Sequence, residues 1–156
     1  MEEDEYKSTY GALTSVRCVF EKTLTNHRAK CSLSKHFCLS DREGYSCKDA
    51  ESSLNCAELL EKLRKKSLFV LKLRDINGPL PHNMEIRVQI GGLRGLRAVL
   101  DPDEKESLIS DIRALIEQAQ KQYDNMDALP YNEIVQSIAS FKTQRHGKSK
   151  QSRDTD

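Results

Sequence analysis

Five cysteines are the residues of this chain best able to do chemistry, and all five fall between Cys18 and Cys56. The gaps separating Cys18, Cys31, Cys38, Cys47 and Cys56 are 12, 6, 8 and 8 residues, so the short pairs C-x-x-C and C-x-x-x-x-C do not occur. Deprotonated thiols are soft donors that suit zinc and iron, and four of them complete a tetrahedral zinc site or a [4Fe–4S] cube. Structural zinc sites usually take two ligands from one tight turn, which costs little ordering entropy. Without such turns, the spacing favours an iron–sulfur cluster, with zinc as the alternative. Cys38 has the most apolar neighbours, Phe37 and Leu39, and reads as a packed, inert thiol. Cys18, Cys31, Cys47 and Cys56 are therefore the expected cofactor-binding and metal ligands. His27 and His36 lie within the stretch and His82 beyond it, and each is a weaker candidate ligand.

Composition limits the other roles. With 25 basic and 24 acidic residues the net charge is +1, which by itself argues for no anionic partner. No run of about 18 apolar residues is present, so no membrane span is expected. The start, Met1-Glu2-Glu3-Asp4-Glu5, is acidic and lacks the apolar core of a secretory signal. The expected location is the cytoplasm, where thiols stay reduced and clustered cysteines serve as ligands or catalytic groups more often than as bridges. No G-x-S-x-G or H-E-x-x-H is present, and Glu21 reads as surface charge. No catalytic residue is assigned.

These side chains need elements to position them. A first helix is expected over 14–26, with Leu13, Val16, Phe20 and Leu24 as its apolar stripe and Cys18 off that stripe. Residues 27–49 have no sustained period and read as an irregular stretch turning at Gly44, of a length that is uncommon unless something holds it. Cys47 stands just before a helix capped by Asp49, where the positive end of the helix dipole favours a thiolate. That helix, over 50–73, is the best defined, with Cys56, Leu59, Leu60, Leu63, Ser67, Val70 and Leu71 on one face. Asn77-Gly78-Pro79 ends the region. Met84, Ile86, Val88 and Ile90 then alternate with polar residues, which predicts a strand, and Gly91-Gly92 predicts a β-hairpin with a bulge at Gly95 or a short helix after it. Helices over 102–123 and 130–143 complete a mainly α, small helical domain spanning 13–143. It is flanked by a disordered acidic N-terminus, 1–12, and a disordered basic tail, 144–156.

Gly91-Gly92-Leu93-Arg94-Gly95 fits neither phosphate-binding glycine motif and reads as a tight turn. The tail could touch nucleic acid, with Arg87, Arg94 and Arg97 extending the patch, but a solubilising role is favoured.

The runs Cys18-Val19-Phe20-Glu21-Lys22, Asp41-Arg42-Glu43-Gly44, Cys47, Cys56, Gly78-Pro79-Leu80-Pro81-His82 and Gln89-Ile90-Gly91-Gly92-Leu93 resemble a set of short bacterial cysteine-rich proteins of unknown function. The resemblance implies a bacterial setting and ligands at Cys18, Cys31, Cys47 and Cys56. The position of Cys38 is not usually a cysteine in that set, and the position of Ile90 sometimes is. No activity comes with it. The expectation is a small cysteine-ligated metalloprotein with an electron-transfer, sensing or accessory role and a protein partner. The alternatives are a metal-free interaction module with core cysteines, for a protein or nucleic-acid partner, and a thiol redox or sulfur-handling enzyme using Cys47.

Overall fold

The computed structural model describes residues 16–76 and 78–142. The expectations for 1–12 and 144–156 lie outside them. Six helices and a two-stranded antiparallel hairpin make up the described chain, a mainly α domain as the sequence implies.

The first helix, α1 (Glu21–Thr25), is far shorter than the expected 14–26. Tertiary pairing overrides local pattern here. The Cys47 amide donates to Val16 O (2.7 Å) and the Cys18 amide to Tyr45 O (3.0 Å), which draws residues 16–18 out beside a strand. Phe20 and Leu24 are nevertheless buried, as their spacing implies.

The stretch expected to be irregular folds largely into the hairpin, β1 (Ser34–Leu39) and β2 (Arg42–Cys47). Its register runs from Ser34 opposite Cys47 to Leu39 opposite Arg42, so the turn is at Ser40-Asp41, with Ser40 left-handed at φ 56°. Gly44 is therefore not the turn. It sits in β2 opposite Phe37, where a Cβ would stand 2.6 Å from both Phe37 and the Glu21 carboxylate. The strands are mostly polar, so the apolar alternation that announces a half-buried strand is missing.

Asp49 caps α2 (Ala50–Lys66) by accepting from the Ser52 amide, as expected. Leu59, Leu60 and Leu63 form its buried face. The expected 50–73 helix divides at Ser67, which is buried and donates its hydroxyl to Leu63 O at 2.6 Å. The short α3 (Leu68–Leu71) follows and stops at left-handed Lys72.

The predicted hairpin around Gly91-Gly92 is instead the middle of α4 (His82–Leu100). Its alternation of apolar and polar residues misleads because the helix is central and buried on more than one face. Glu85 and Gln89 are buried along with Val88 and Ile90. The glycines allow close helix packing, since a Cβ on Gly91 would stand 2.8 Å from Ile138 Cα and one on Gly95 2.5 Å from Ile134 O.

The expected 102–123 helix begins only at α5 (Ile112–Gln122), capped by Asp111. The preceding segment instead pairs its backbone with the loop after α1, Ile109 N donating to Arg28 O and Lys30 N to Ile109 O. A 3₁₀ turn (Met126–Ala128) leads to α6 (Tyr131–Ser140), whose Ile134 and Ile138 close the core against α4. No helix among the described residues is long and apolar enough to cross a membrane.

Candidate metal centre

Four cysteines arrive at one place on four separate pieces of backbone. Cys18 lies on the extended lead into α1, and its amide is held by Tyr45 O. Cys31 lies in the loop before β1, where its carbonyl accepts from the Ser34 amide (3.1 Å) and hydroxyl (2.8 Å). Cys47 ends β2 and Cys56 is in the second turn of α2. All four line a single cavity of about 20 Å³, completed by Val19, Phe20, Ser34, Ser53 and Ile112. The fifth, Cys38, is on β1 and exposed. It is outside the cavity as expected, but it is not the packed thiol that its apolar neighbours suggested.

The four thiols feel one another. Burial pushes Cys56 up to about 12, and Cys18, Cys31 and Cys47 add to the rise as nearby groups that would carry like charge. Burial also pushes Cys18 up to about 12, against a lowering hydrogen bond from the Phe20 backbone, with Cys31, Cys47 and Glu21 raising it further. Burial raises Cys31 too, partly offset by the Leu33 and Arg113 backbone. Isolated in this chamber, Cys18 and Cys56 stay protonated at neutral pH. A bound cation would reverse that preference, because opposite charge favours the thiolate. The Cys47 thiol donates to Asp49 O at 3.2 Å, so it faces a carbonyl rather than the amide end of α2.

The all-thiol donor set suits a soft metal, while the cavity of about 20 Å³ has room for one or two waters. Among the described residues, no group of three or more histidine, cysteine, aspartate and glutamate side chains is arranged to hold a metal ion. A cluster that brings its own bridging sulfides needs more room than this cavity gives, so the thiols would have to move apart to hold one.

Two grooves reach the chamber. One of about 220 Å³, between the hairpin, α2 and α5, is lined by Cys31, Cys47 and Cys56 together with Asp49, Arg113 and Glu117. The other, of about 530 Å³, reaches Cys18 and is lined by Arg17, Lys22, Arg64 and His82.

The histidines do not join the thiols in their cavity. His27 is exposed just after α1 with φ 58°. His36 Nε2 stands 2.8 Å from Glu43, and its ring tilts against Tyr45. His82 Nδ1 is 2.8 Å from the Lys22 amine, on the groove side of Cys18.

Several supporting residues escape a reading of the sequence alone. Glu21, expected as surface charge, is largely buried and takes the Tyr45 amide at 2.9 Å and Arg17 Nε at 2.6 Å, which fastens the hairpin to α1. Gly44 leaves room for that carboxylate. Behind Cys18, Glu85 accepts two hydrogen bonds from Arg64 (3.0 and 2.7 Å) and one from Gln89 Nε2 (2.8 Å). Gln89 Oε1 in turn accepts from the amide and hydroxyl of Thr23. The i, i+4 spacing of Glu85 and Gln89 signals this network only once the segment is read as a helix. Arg87 and Arg97, expected simply to face solvent, donate to the carbonyls of Ile138 and Ala139 and of Glu106 and Leu108.

Comparison of the chain with protein-family models, curated proteins and solved structures finds no match.

Proposed function

We propose that this protein is a small metalloprotein in which Cys18, Cys31, Cys47 and Cys56 hold an iron–sulfur cluster, serving electron transfer, sensing or an accessory role. The observation that carries the reading is the convergence of these four thiols, from four separate segments, on one cavity from which Cys38 is excluded. The all-sulfur donor set suits iron, and the lack of two ligands from one tight turn speaks against a structural zinc knuckle. The cavity of about 20 Å³, room for one or two waters, would have to widen around a cluster. Such a cluster, when bound, supplies one-electron exchange. The chain's own part is to bring the thiols together, to shield them with Phe20 and Ile112, and to leave the groove along Cys31, Cys47 and Cys56 as the approach for a partner.

The test is purification without oxygen, then an absorption spectrum with iron, sulfide and zinc analysis. A brown protein with about four irons per chain is the expected result. Zinc at one equivalent without colour would replace the cluster by a structural ion. A folded chain with neither metal would overturn the reading and favour a metal-free interaction module. Burial, which raises Cys18 and Cys56 to about 12, is the observation on that side, since it suits neutral, packed thiols.

A further inference from the structure

Arg28, Arg94, Ser137, Ser140, Phe141 and Lys142 line a polar cavity of about 340 Å³ that shares no residue with the cysteine chamber. Three side chains on its wall are cationic, two carry hydroxyls and none is a carboxylate. Arg94 comes from α4, and its guanidinium lies 5.4 Å from the centre of the Phe141 ring, which fixes its plane. One of its terminal nitrogens donates to Ser107 O at 3.2 Å. Its Nε is buried and has no hydrogen-bond partner among the described residues. A buried donor left unmade is costly, which leaves Arg94 with unspent hydrogen-bonding capacity on this side of the domain. The field around it is also one-signed. The charges of Arg28 and Arg97 add to burial in disfavouring the charged form of Arg94.

A plain alternative is that these cations serve the negative end of α6. That end already has partners, since Arg87 takes the carbonyls of Ile138 and Ala139 and the Phe141 amide takes Ser137 O. The cations of the cavity are thus in surplus.

We propose that this cavity binds the phosphate group of a small phosphorylated molecule, with Arg28, Arg94 and Lys142 supplying the charge and Ser137 and Ser140 the hydroxyl donors. Guanidinium groups match phosphate oxygens in pairs, and an ammonium adds a point charge. The volume is that of a small-ligand site rather than a strand-length track.

Isothermal titration of the full chain with pyrophosphate, and separately with inorganic phosphate, tests the assignment. Pyrophosphate is expected to saturate at one equivalent. The double variant Arg28→Gln with Lys142→Gln is expected to weaken it at least tenfold, while the circular dichroism spectrum is unchanged. Both positions lie outside the core, so the variant avoids the packing role of Arg94. Equal affinity in the variant would mean that anions bind elsewhere, such as on the basic segment after residue 142, and would overturn the proposal. So would a single-stranded oligonucleotide that bound tighter than pyrophosphate with a steep salt dependence, which would make this a nucleic-acid surface. Amide shifts at Arg28, Arg94 and residues 137–142 together on adding pyrophosphate would support the site directly, and shifts confined to the end of the chain would overturn it.

Discussion

Replacing Gly95 by alanine puts the central helix contact to the test. In an ordinary helix interior the change stabilises by about 1 kcal/mol, because alanine is the better helix former. Here the new Cβ would stand 2.5 Å from Ile134 O and 3.0 Å from Ile134 Cα, both backbone atoms of α6. The first contact is about 0.9 Å short of ordinary van der Waals separation. Backbone cannot rotate aside as a side chain can, so α4 and α6 must part along a core where Ile134 and Ile138 are wholly buried. Overpacking of this kind costs about 1–3 kcal/mol, and the upper half of that range is appropriate when the obstacle is backbone. Against the propensity gain, the net loss is about 1–2 kcal/mol. Gly92→Ala is the internal control. Its Cβ would meet the end of the Leu63 side chain, Cδ1 at 2.6 Å, which a rotamer change can relieve. Its stability should stay within about 1 kcal/mol of the parent. Urea denaturation followed by circular dichroism measures both. A Gly95→Ala midpoint equal to or above that of the parent would refute the close packing and the helical reading of this segment.

Four further outcomes follow from the site. Cys47→Ser should lose bound metal while Cys38→Ser keeps it, because only Cys47 lines the chamber, and equal metal content in both would defeat the ligand assignment. In the metal-free protein, folding should weaken as pH rises from 9 toward 12. Unfolded thiols release their protons near 9.0, whereas Cys18 and Cys56 hold theirs to about 12, so their contribution is complete below pH 9 and lost above it. A denaturation midpoint that stays flat over that range, or that Cys18→Ala with Cys56→Ala leaves equally steep, would contradict the burial of these thiols. Glu21→Ala should cost about 1–3 kcal/mol by stripping the Tyr45 amide of its acceptor, and hydrogen exchange at Tyr45 should quicken; unchanged exchange would show that the hairpin is held otherwise. Asp49→Ala should cost about 1 kcal/mol through loss of the cap on α2, read as a lower thermal midpoint, with no change expected if Ser52 finds another acceptor.

How much of this could be read in advance depended on whether local pattern and tertiary environment agreed. They agree in α2, where Leu59, Leu60 and Leu63, at i+3, i+4 and i+7 from Cys56, are the buried residues and Asp49 is the cap. In α4 they conflict. Amphipathicity reports a helix only when one face meets solvent, and this one buries Glu85 and Gln89 beside Val88 and Leu93. With both polar and apolar positions inside, a chance alternation was the strongest remaining pattern, and two adjacent glycines completed the false hairpin. The true hairpin failed the opposite way, because Lys35, His36, Arg42 and Glu43 are exposed and give the strands no apolar face to detect. The choice of four cysteines needed less. It rested on spacing and on the neighbours of Cys38, and the same four line the cavity, even though the neighbour argument mistook an exposed thiol for a packed one.

The irregular cysteine spacing has its physical reason in how the chamber is assembled. A zinc knuckle takes two ligands from one turn, so its spacing is short and fixed by local geometry. Here each thiol is delivered by its own element, and the tethers are remote in sequence: Tyr45 O to the Cys18 amide, Val16 O to the Cys47 amide, and Ile109 O to Lys30 beside Cys31. No tether constrains the number of residues between two cysteines. What must be preserved is the set of backbone pairings, with Glu21 and Gly44 locking the hairpin onto α1. Metal binding would then stabilise four segments at once, and its free energy would act on the fold of the whole N-terminal half rather than on one loop. The fold places the thiols without calling on any of them as structural cross-links, so under the proposed reading a substitution at one of the four would remove the grip on a cofactor before it removed the scaffold.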